Sequence, residues 1–246
     1  MTAPRFYCPP PLHSGDSFEL PPDAAHHASR VLRLRIHDAV HIFDGLGNEL
    51  QGVIGEISGK KVVLAKVMPC TSNRESNLHI TLAQALCGSE KMDWILQKAT
   101  ELGVTEIQPV QTERSVAKLS VERAIKRADH WRNVGIAACE QCGQNRLPHI
   151  HLPQELSAWL AQTRSLSGSK FILLPQGSAT LHQQPRPKEK ITLLIGPEGG
   201  FSASEAQLAQ DVGFTSIRLG PRWLRTETAA MASIAALQTL WGDFNI

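Results

Sequence analysis

Apolar residues change their spacing along the chain near residue 70. Before it they come in short runs broken by turn residues. Val40, Ile42 and Phe43 lead into Asp44-Gly45, Val53 and Ile54 continue to Ile57, and Ser58-Gly59-Lys60 turns the chain into a run from Val62 to Val67. The pattern predicts a meander of short strands, the material of a small barrel or sandwich. Residues 71–77 are polar and aperiodic and read as a linker.

Beyond the linker, periods of two alternate with periods of 3.6. Residues 78–86 alternate as a strand does. After Ser89, a candidate helix cap, Met92, Ile95, Leu96, Ala99 and Leu102 recur on one helical face, and Gly103 closes it. A strand is expected at 105–110, a long helix over about 120–142, and further strands at 171–174, 191–195 and 214–219. Between the last two, Ser202 and Glu205 form a capping box for a helix ended by Gly213. Thr226 is the expected cap of a final helix reaching about residue 240. Strands alternating with helices predict an α/β domain with a parallel sheet covered on both faces.

Composition narrows the class. The 246 residues exceed the usual domain of about 100–150 and suit two, 1–70 and 78–246. With 42% hydrophobic and 20% charged residues, the chain is globular rather than disordered. No apolar run reaches the ~18–20 residues of a membrane span. The opening MTAPRFYCPP lacks the features of a signal peptide, so a cytoplasmic location is expected. A net charge of +2 from 25 basic and 23 acidic residues does not by itself identify a polyanionic partner. Five cysteines, an odd number, predict free thiols. Cys139 and Cys142, with His130, His149 and His151 nearby, lack the second pair of a structural zinc site, so no metal is expected.

Two segments carry candidate chemistry. In Ile191 to Ser202, a buried strand enters a loop holding Gly196, Gly199 and Gly200, then a capped helix. Ligands of open α/β sheets bind at the carboxyl ends of strands, so this loop stands where a site is expected. It has neither the G-x-G-x-x-G fingerprint nor the lysine of a phosphate-binding loop. A tight turn with glycines for geometry alone is the competing reading. The second segment, Leu219 to Ala229, repeats the logic with Gly220, Pro221, Arg222 and Arg225 ahead of a helix N-terminus. Two arginines have no structural necessity there, and such a place attracts anions.

Read together, GPEGGFSASE and LGPRWLRTETA resemble the 16S rRNA (uracil-N3)-methyltransferase family, RsmE, of the SPOUT class of S-adenosylmethionine-dependent RNA methyltransferases. Agreeing stretches are His26-His27 with Arg30 to Arg33, Phe43-Asp44-Gly45, Gln97 to Gly103, Glu113-Arg114-Ser115 and Glu140 to Gly143, so the likeness spans nearly the whole chain. The resemblance implies an N-terminal PUA-like β-barrel, a C-terminal SPOUT-type sheet tied in a trefoil knot, and a homodimer. It implies S-adenosylmethionine held by three loops: Leu174, Pro175 and Gly177; Ile195, Gly196, Pro197, Glu198, Gly199 and Gly200; Leu219, Gly220 and Leu224. The implied substrate is N3 of a specific uridine in 16S rRNA, alone or in the small ribosomal subunit, with no membrane involved. In the family an arginine follows Glu-Gln-Cys-Gly; here Gln144 stands there and Arg146 comes two residues later.

Methylation at N3 needs loss of the imide proton, which leaves negative charge on the uracil oxygens. Arg225, with Arg222 behind it, is the candidate to stabilise that charge. Glu198 and Glu227 are the carboxylates of the motif loops, but helix dipoles and arginines lower their pKa and weaken them as bases. RNA contacts are expected from Arg5, Arg30, Arg33 and Arg35, with Arg33 and Arg35 on one face of an extended segment. Arg114 and Arg146 join them on the resemblance. The competing functions are a SPOUT ribose 2′-O-methyltransferase, a non-catalytic RNA-binding module of ribosome assembly, and an unrelated nucleotide-dependent enzyme. The alanines of the final helix, Ala229, Ala230, Ala232, Ala235 and Ala236, fit either core packing or a dimer interface.

Overall fold

The computed structural model describes residues 3–70, 74–116 and 118–244, so the expected linker is described only from residue 74 onward. The chain forms two compact units, Met1–Glu75 with Ile136–Leu147, and Ser76–Gly135 with Pro148–Ile246. The division falls within 71–77. The assignment of 136–147 to the first unit has no trace in the hydrophobic period, because the helix containing it runs on without a break.

In the first unit the strands are β1 (Arg5–Tyr7), β2 (Gly15–Glu19), β3 (Ala39–Phe43), β4 (Glu49–Ser58) and β5 (Lys61–Pro69). They form one sheet in the order β1-β3-β4-β5-β2. Only β1 and β3 pair in parallel; β4 and β5 form the hairpin expected around Gly59, whose φ of +62° suits glycine. Phe6, Ile42, Ile54, Val62 and Leu64 are buried in its core. β1 and β2 are edges of the ladder, so the hydrogen bonding leaves open a sheet that the resemblance implies as a barrel.

One expectation is overturned here. The arginine segment is not extended: helix α1 (Pro22–His26) continues into a π-helical turn over His27–Val31, and Arg33 has a φ of +54°. The apolar stripe Ala24, Ala25 and Ala28, buried in the core, accounts for the helical turns up to Val31, and beyond them the positive φ of Arg33 breaks the extended run. Arg30, Arg33 and Arg35 are exposed all the same.

The second unit alternates as predicted. It contains β6 (Ile80–Ala85), α2 (Ser89–Glu101), β7 (Glu106–Gln111), the first part of α3 (Val121–Cys142), β8 (His149–Ile150), β9 (Gln154–Glu155) and α4 (Leu156–Thr163). There follow β10 (Ser169–Leu173), β11 (Ile191–Ile195), α5 (Ala203–Asp211), β12 (Thr215–Ile217) and α6 (Thr226–Trp241). The strand order is β12-β10-β11-β6-β7-β8, with β9 also on β7, and every pair is parallel. β11 is buried along its whole length, as a strand covered on both faces must be. Alternate residues serve opposite cores: Leu82 and Leu193 pack with Met92, Ile95, Ile234 and Leu237, Ala83 and Leu194 with Trp159, Leu160 and Phe214. Each large side chain buried this way contributes about 1.5–3 kcal/mol. No helix among the described residues is long and apolar enough to cross a membrane.

Ser89 does not cap α2. Gly88 holds the cap position and Ser89 is the first helical residue, its hydroxyl accepting from Arg127. The capping box of α5 does form: Ser202 Oγ accepts the Glu205 N–H and Glu205 accepts the Ser202 N–H at 2.9 Å.

Candidate functional site

The strands β10, β11 and β12 are neighbours and parallel, so their carboxyl ends release three loops on one edge of the sheet. A cavity of about 500 Å³ opens there, within the ~300–1,000 Å³ of small-molecule sites. Leu174 and Pro175 line it from the first loop, all of 195–200 from the second, and Leu219, Gly220 and Leu224 from the third. Gly177 is the one expected cofactor residue outside the lining. A Cβ there would stand 2.3 Å from the Ile217 carbonyl carbon, so its missing side chain admits the neighbouring backbone rather than a ligand.

Each loop is held by its own bonds. Gly177 N–H closes a turn onto Leu174 O at 3.0 Å, and Gly200 N–H closes another onto Pro197 O at 2.9 Å. Gly200 and Gly220 both have a φ of +68°, where a side chain is strained. Glu113 N–H donates to Glu205 Oε1 at 2.7 Å and Arg114 Nη1 to Gly199 O at 3.0 Å, which ties the segment after β7 to the second loop. Among the described residues, the backbone groups of 219–224 make no hydrogen bond within the protein. They are polar groups left available at the wall of a cavity whose lining is mixed apolar and charged.

The charged groups divide by position. Arg222 and Arg225 line the cavity, are exposed, and have no ion pair among the described residues. Between them lies Trp223, which is 79% exposed. Glu198 also lines the cavity and accepts from Lys91 Nζ at 3.0 Å. Burial alone would raise the Glu198 carboxyl, but the hydrogen bonds of its own N–H and of Lys91 outweigh that and hold it below the usual carboxylate range. Glu227 does not line the cavity; its Oε2 is buried without a hydrogen-bond partner among the described residues. Nearby, burial first and then Glu198 push the Cys87 thiol up to about 12, so it stays protonated.

Thr226 departs from its expected role. Arg225 occupies the N-cap position of α6, and the Thr226 hydroxyl donates instead to Gly196 O at 2.6 Å. It accepts in turn from Gln84 Nε2 at 3.0 Å. Lys91, Arg218, Phe201 and Thr226 line the cavity and were missed in the sequence. Lys91 carried one faint signal, a cation at the start of the helix following a strand.

The expected RNA contacts also separate. Arg5 is held inside the first unit: with 8% of its side chain exposed it is ion-paired to Glu49, at 1%, and donates to Asn145 Oδ1 at 2.7 Å. Arg146 is exposed, with its N–H on Glu75 Oε1 at 3.0 Å, and Gln144 is buried. Cys139 is buried in α3, its thiol raised by the hydrogen bond with Cys142 and by burial. His41, Glu49 and Cys70 bring ligand atoms within 4.8 Å of one another. The Glu49 carboxylate is already paired with Arg5, whose charge opposes a metal cation there.

Residues 74–238 match the family model described as an RNA methyltransferase domain, and residues 20–67 match that of an RNA methyltransferase PUA domain. The ribosomal RNA small subunit methyltransferase E of Buchnera aphidicola (Acyrthosiphon pisum) is 35% identical over 244 residues, 98% of this chain and 95% of the relative. That of Bacillus subtilis is 27% identical, covering 92% and 91%. Among solved structures, the Neisseria gonorrhoeae ribosomal RNA small subunit methyltransferase E bound to S-adenosylmethionine superposes with a TM-score of 0.92 at 37% identity, covering 99% of this chain and 100% of the other. A methyltransferase from Legionella pneumophila, also in complex with S-adenosylmethionine, gives 0.91 at 39% identity with the same coverage.

Proposed function

Because the chain belongs to the ribosomal RNA small subunit methyltransferase E family, we propose that it methylates N3 of a specific uridine in 16S rRNA, with S-adenosylmethionine as donor. The observation that carries this reading is the convergence of three strand-end loops on one cavity with two arginines that have no ion pair among the described residues. The residues suit the cofactor chemically: an apolar wall for a nucleoside, available backbone groups for a heterocycle, and the Glu198 carboxylate for a cationic end. Bound there, S-adenosylmethionine supplies an electrophilic methyl group on a sulfonium.

The chain's own groups do the rest. Loops 174–177, 195–200 and 219–224 exclude water and hold the reacting partners in line. Arg225, with Arg222 behind it, stabilises the negative charge that spreads to O2 and O4 once the N3 proton has passed to solvent, so that the N3 lone pair can take the methyl group. Glu198, held ionised by Lys91, serves recognition rather than proton abstraction. Exposed Arg30, Arg33 and Arg35, with Arg114 and Arg146, contact RNA phosphates, and the enzyme works in the cytoplasm.

We also read the second unit as a trefoil knot and the functional form as a homodimer. The resemblance of the two motif loops to the SPOUT class supports the first. The half-buried Ala232, Ala235 and Ala236 of α6 and the bare Trp223 support the second. Titration calorimetry with S-adenosylmethionine, followed by nucleoside analysis of treated small-subunit rRNA, tests the reading. Binding and 3-methyluridine are expected. Ribose methylation would replace it with the 2′-O reading, and no binding with a non-catalytic RNA-binding module.

A further inference from the structure

We propose that Gln84 is a positioning residue for methyl transfer: through the Thr226 hydroxyl it fixes where α6, and with it Arg225, meets the end of β11. This rests on the methyltransferase reading and extends it to a residue outside the lining of the cavity. Gln84 lies on β6 in register with Ile195, the last residue of β11, and is wholly buried. Its Nε2 is 3.1 Å from the Ala85 carbonyl oxygen, which can only accept, and this orients the amide. The same nitrogen donates to Thr226 Oγ1. The hydroxyl's single proton is therefore directed to Gly196 O, so one donor chain runs from Gln84 through Thr226 to Gly196.

The ends of that chain are the turning points of two loops. Gly196 directly follows β11, and Thr226 directly follows Arg225, the N-cap of α6. Thr226 gives no bond to its own helix end, and its position 30 residues from Gly196 makes the link tertiary rather than local. The amide is also an awkward occupant of its site. Gln84 Oε1 is buried without a partner among the described residues, while its neighbours Leu82, Ala83 and Ala85 are apolar and equally buried. An apolar side chain would fill the space without stranding an oxygen, so what the glutamine supplies is the donor on Thr226.

Steady-state methylation of a 16S rRNA fragment, with S-adenosylmethionine affinity measured by calorimetry, tests this in Gln84→Met, Thr226→Val, Thr226→Ser and the Gln84→Met/Thr226→Val double variant. Each loss of the chain should lower kcat about tenfold or more through misplacement of Arg225, while in Gln84→Met, at a residue outside the cavity lining, cofactor affinity moves less than about threefold. Thr226→Ser, which keeps the hydroxyl, should recover most of the loss seen in Thr226→Val. The double variant should be no slower than the slower single one, because both act through one proton. Additive losses, an unchanged kcat in Gln84→Met, or a fall confined to cofactor affinity would overturn the proposal. Should Gln84→Met not fold, the Thr226 pair carries the same comparison. Failure of the wild-type protein to bind S-adenosylmethionine would instead overturn the methyltransferase reading, so the two failures are distinguishable.

Discussion

Arg5 and Arg225 carry the same guanidinium in opposite surroundings. Arg225 is exposed at the cavity with no ion pair among the described residues, so its charge is available to a developing anion. Arg225→Ala should lower kcat about 10²–10³-fold, the scale of losing one preorganised stabiliser, with cofactor affinity within about threefold by calorimetry. A loss of affinity at unchanged kcat would make Arg225 a binding residue instead. Arg5 is buried against Glu49 and lies over the Phe43 ring at 4.9 Å. Arg5→Ala leaves the buried Glu49 carboxylate beside His41 and Asn145 without the arginine's charge and should cost about 3 kcal/mol in denaturant unfolding. RNA affinity measured on the folded fraction should stay unchanged. Residue type identified both as cations, but only tertiary packing, absent from a linear pattern, distinguishes a core ion pair from an exposed one. The motif arginines were legible because glycine and proline around them marked a loop at a strand end.

At the scale of elements, the long periodic pieces and the capping box of α5 were legible, and the single-residue caps of α2 and α6 were not. α2, β11 and the capping box of α5 follow directly from spacing. Ser89 and Thr226 have the right chemistry for a cap, yet each hydroxyl is engaged by a distant residue, Arg127 in one case and Gly196 and Gln84 in the other. Such competition is decided after folding. α4 carried a helical spacing in Leu156, Trp159 and Leu160, but its eight residues gave too short a period to stand out.

Strand β7 makes an element-scale prediction. Hydrogen bonds from His151, and then from Lys190, hold the Glu106 carboxyl down to about 2, with burial opposing them. A depressed acid pKa means that the unfolded chain binds the proton first. The contribution to stability is therefore full above the unfolded value of 4.5 and is lost as pH falls toward 2. In urea unfolding, wild-type protein should lose stability over that window more steeply than Glu106→Gln. Equal slopes would show that the carboxylate is not the titrating group. At α5, Ser202→Ala should cost about 1 kcal/mol, readable as a lowered urea midpoint, since it removes the acceptor of the Glu205 N–H.

For the whole molecule, the proposed reading puts the cofactor cavity in the second unit and three of the proposed phosphate contacts, Arg30, Arg33 and Arg35, in the first. The cavity is built from strand ends of the second, where parallel pairing fixes loop positions to within a hydrogen bond. The first presents Arg30 on the π-helical turn and Arg33 and Arg35 on the exposed irregular stretch after it, interleaved with exposed Val31, Leu32 and Ile36. That design suits a backbone-reading surface, because phosphate contacts need charge and reach rather than exact placement. It separates two measurable quantities. Replacing the three arginines by alanine removes about three phosphate contacts, and each contributes about 0.7–0.9 to the dependence of log K on log salt. RNA affinity should fall uniformly across sequences and the salt slope should flatten by about two. Affinity for S-adenosylmethionine, set in the other unit, should be unchanged, and saturating RNA should restore most of kcat. An unaltered salt slope would move the phosphate contacts to Arg114 and Arg146, while an effect on kcat that saturating RNA cannot restore would mean that the first unit aligns the uridine as well as holding the RNA.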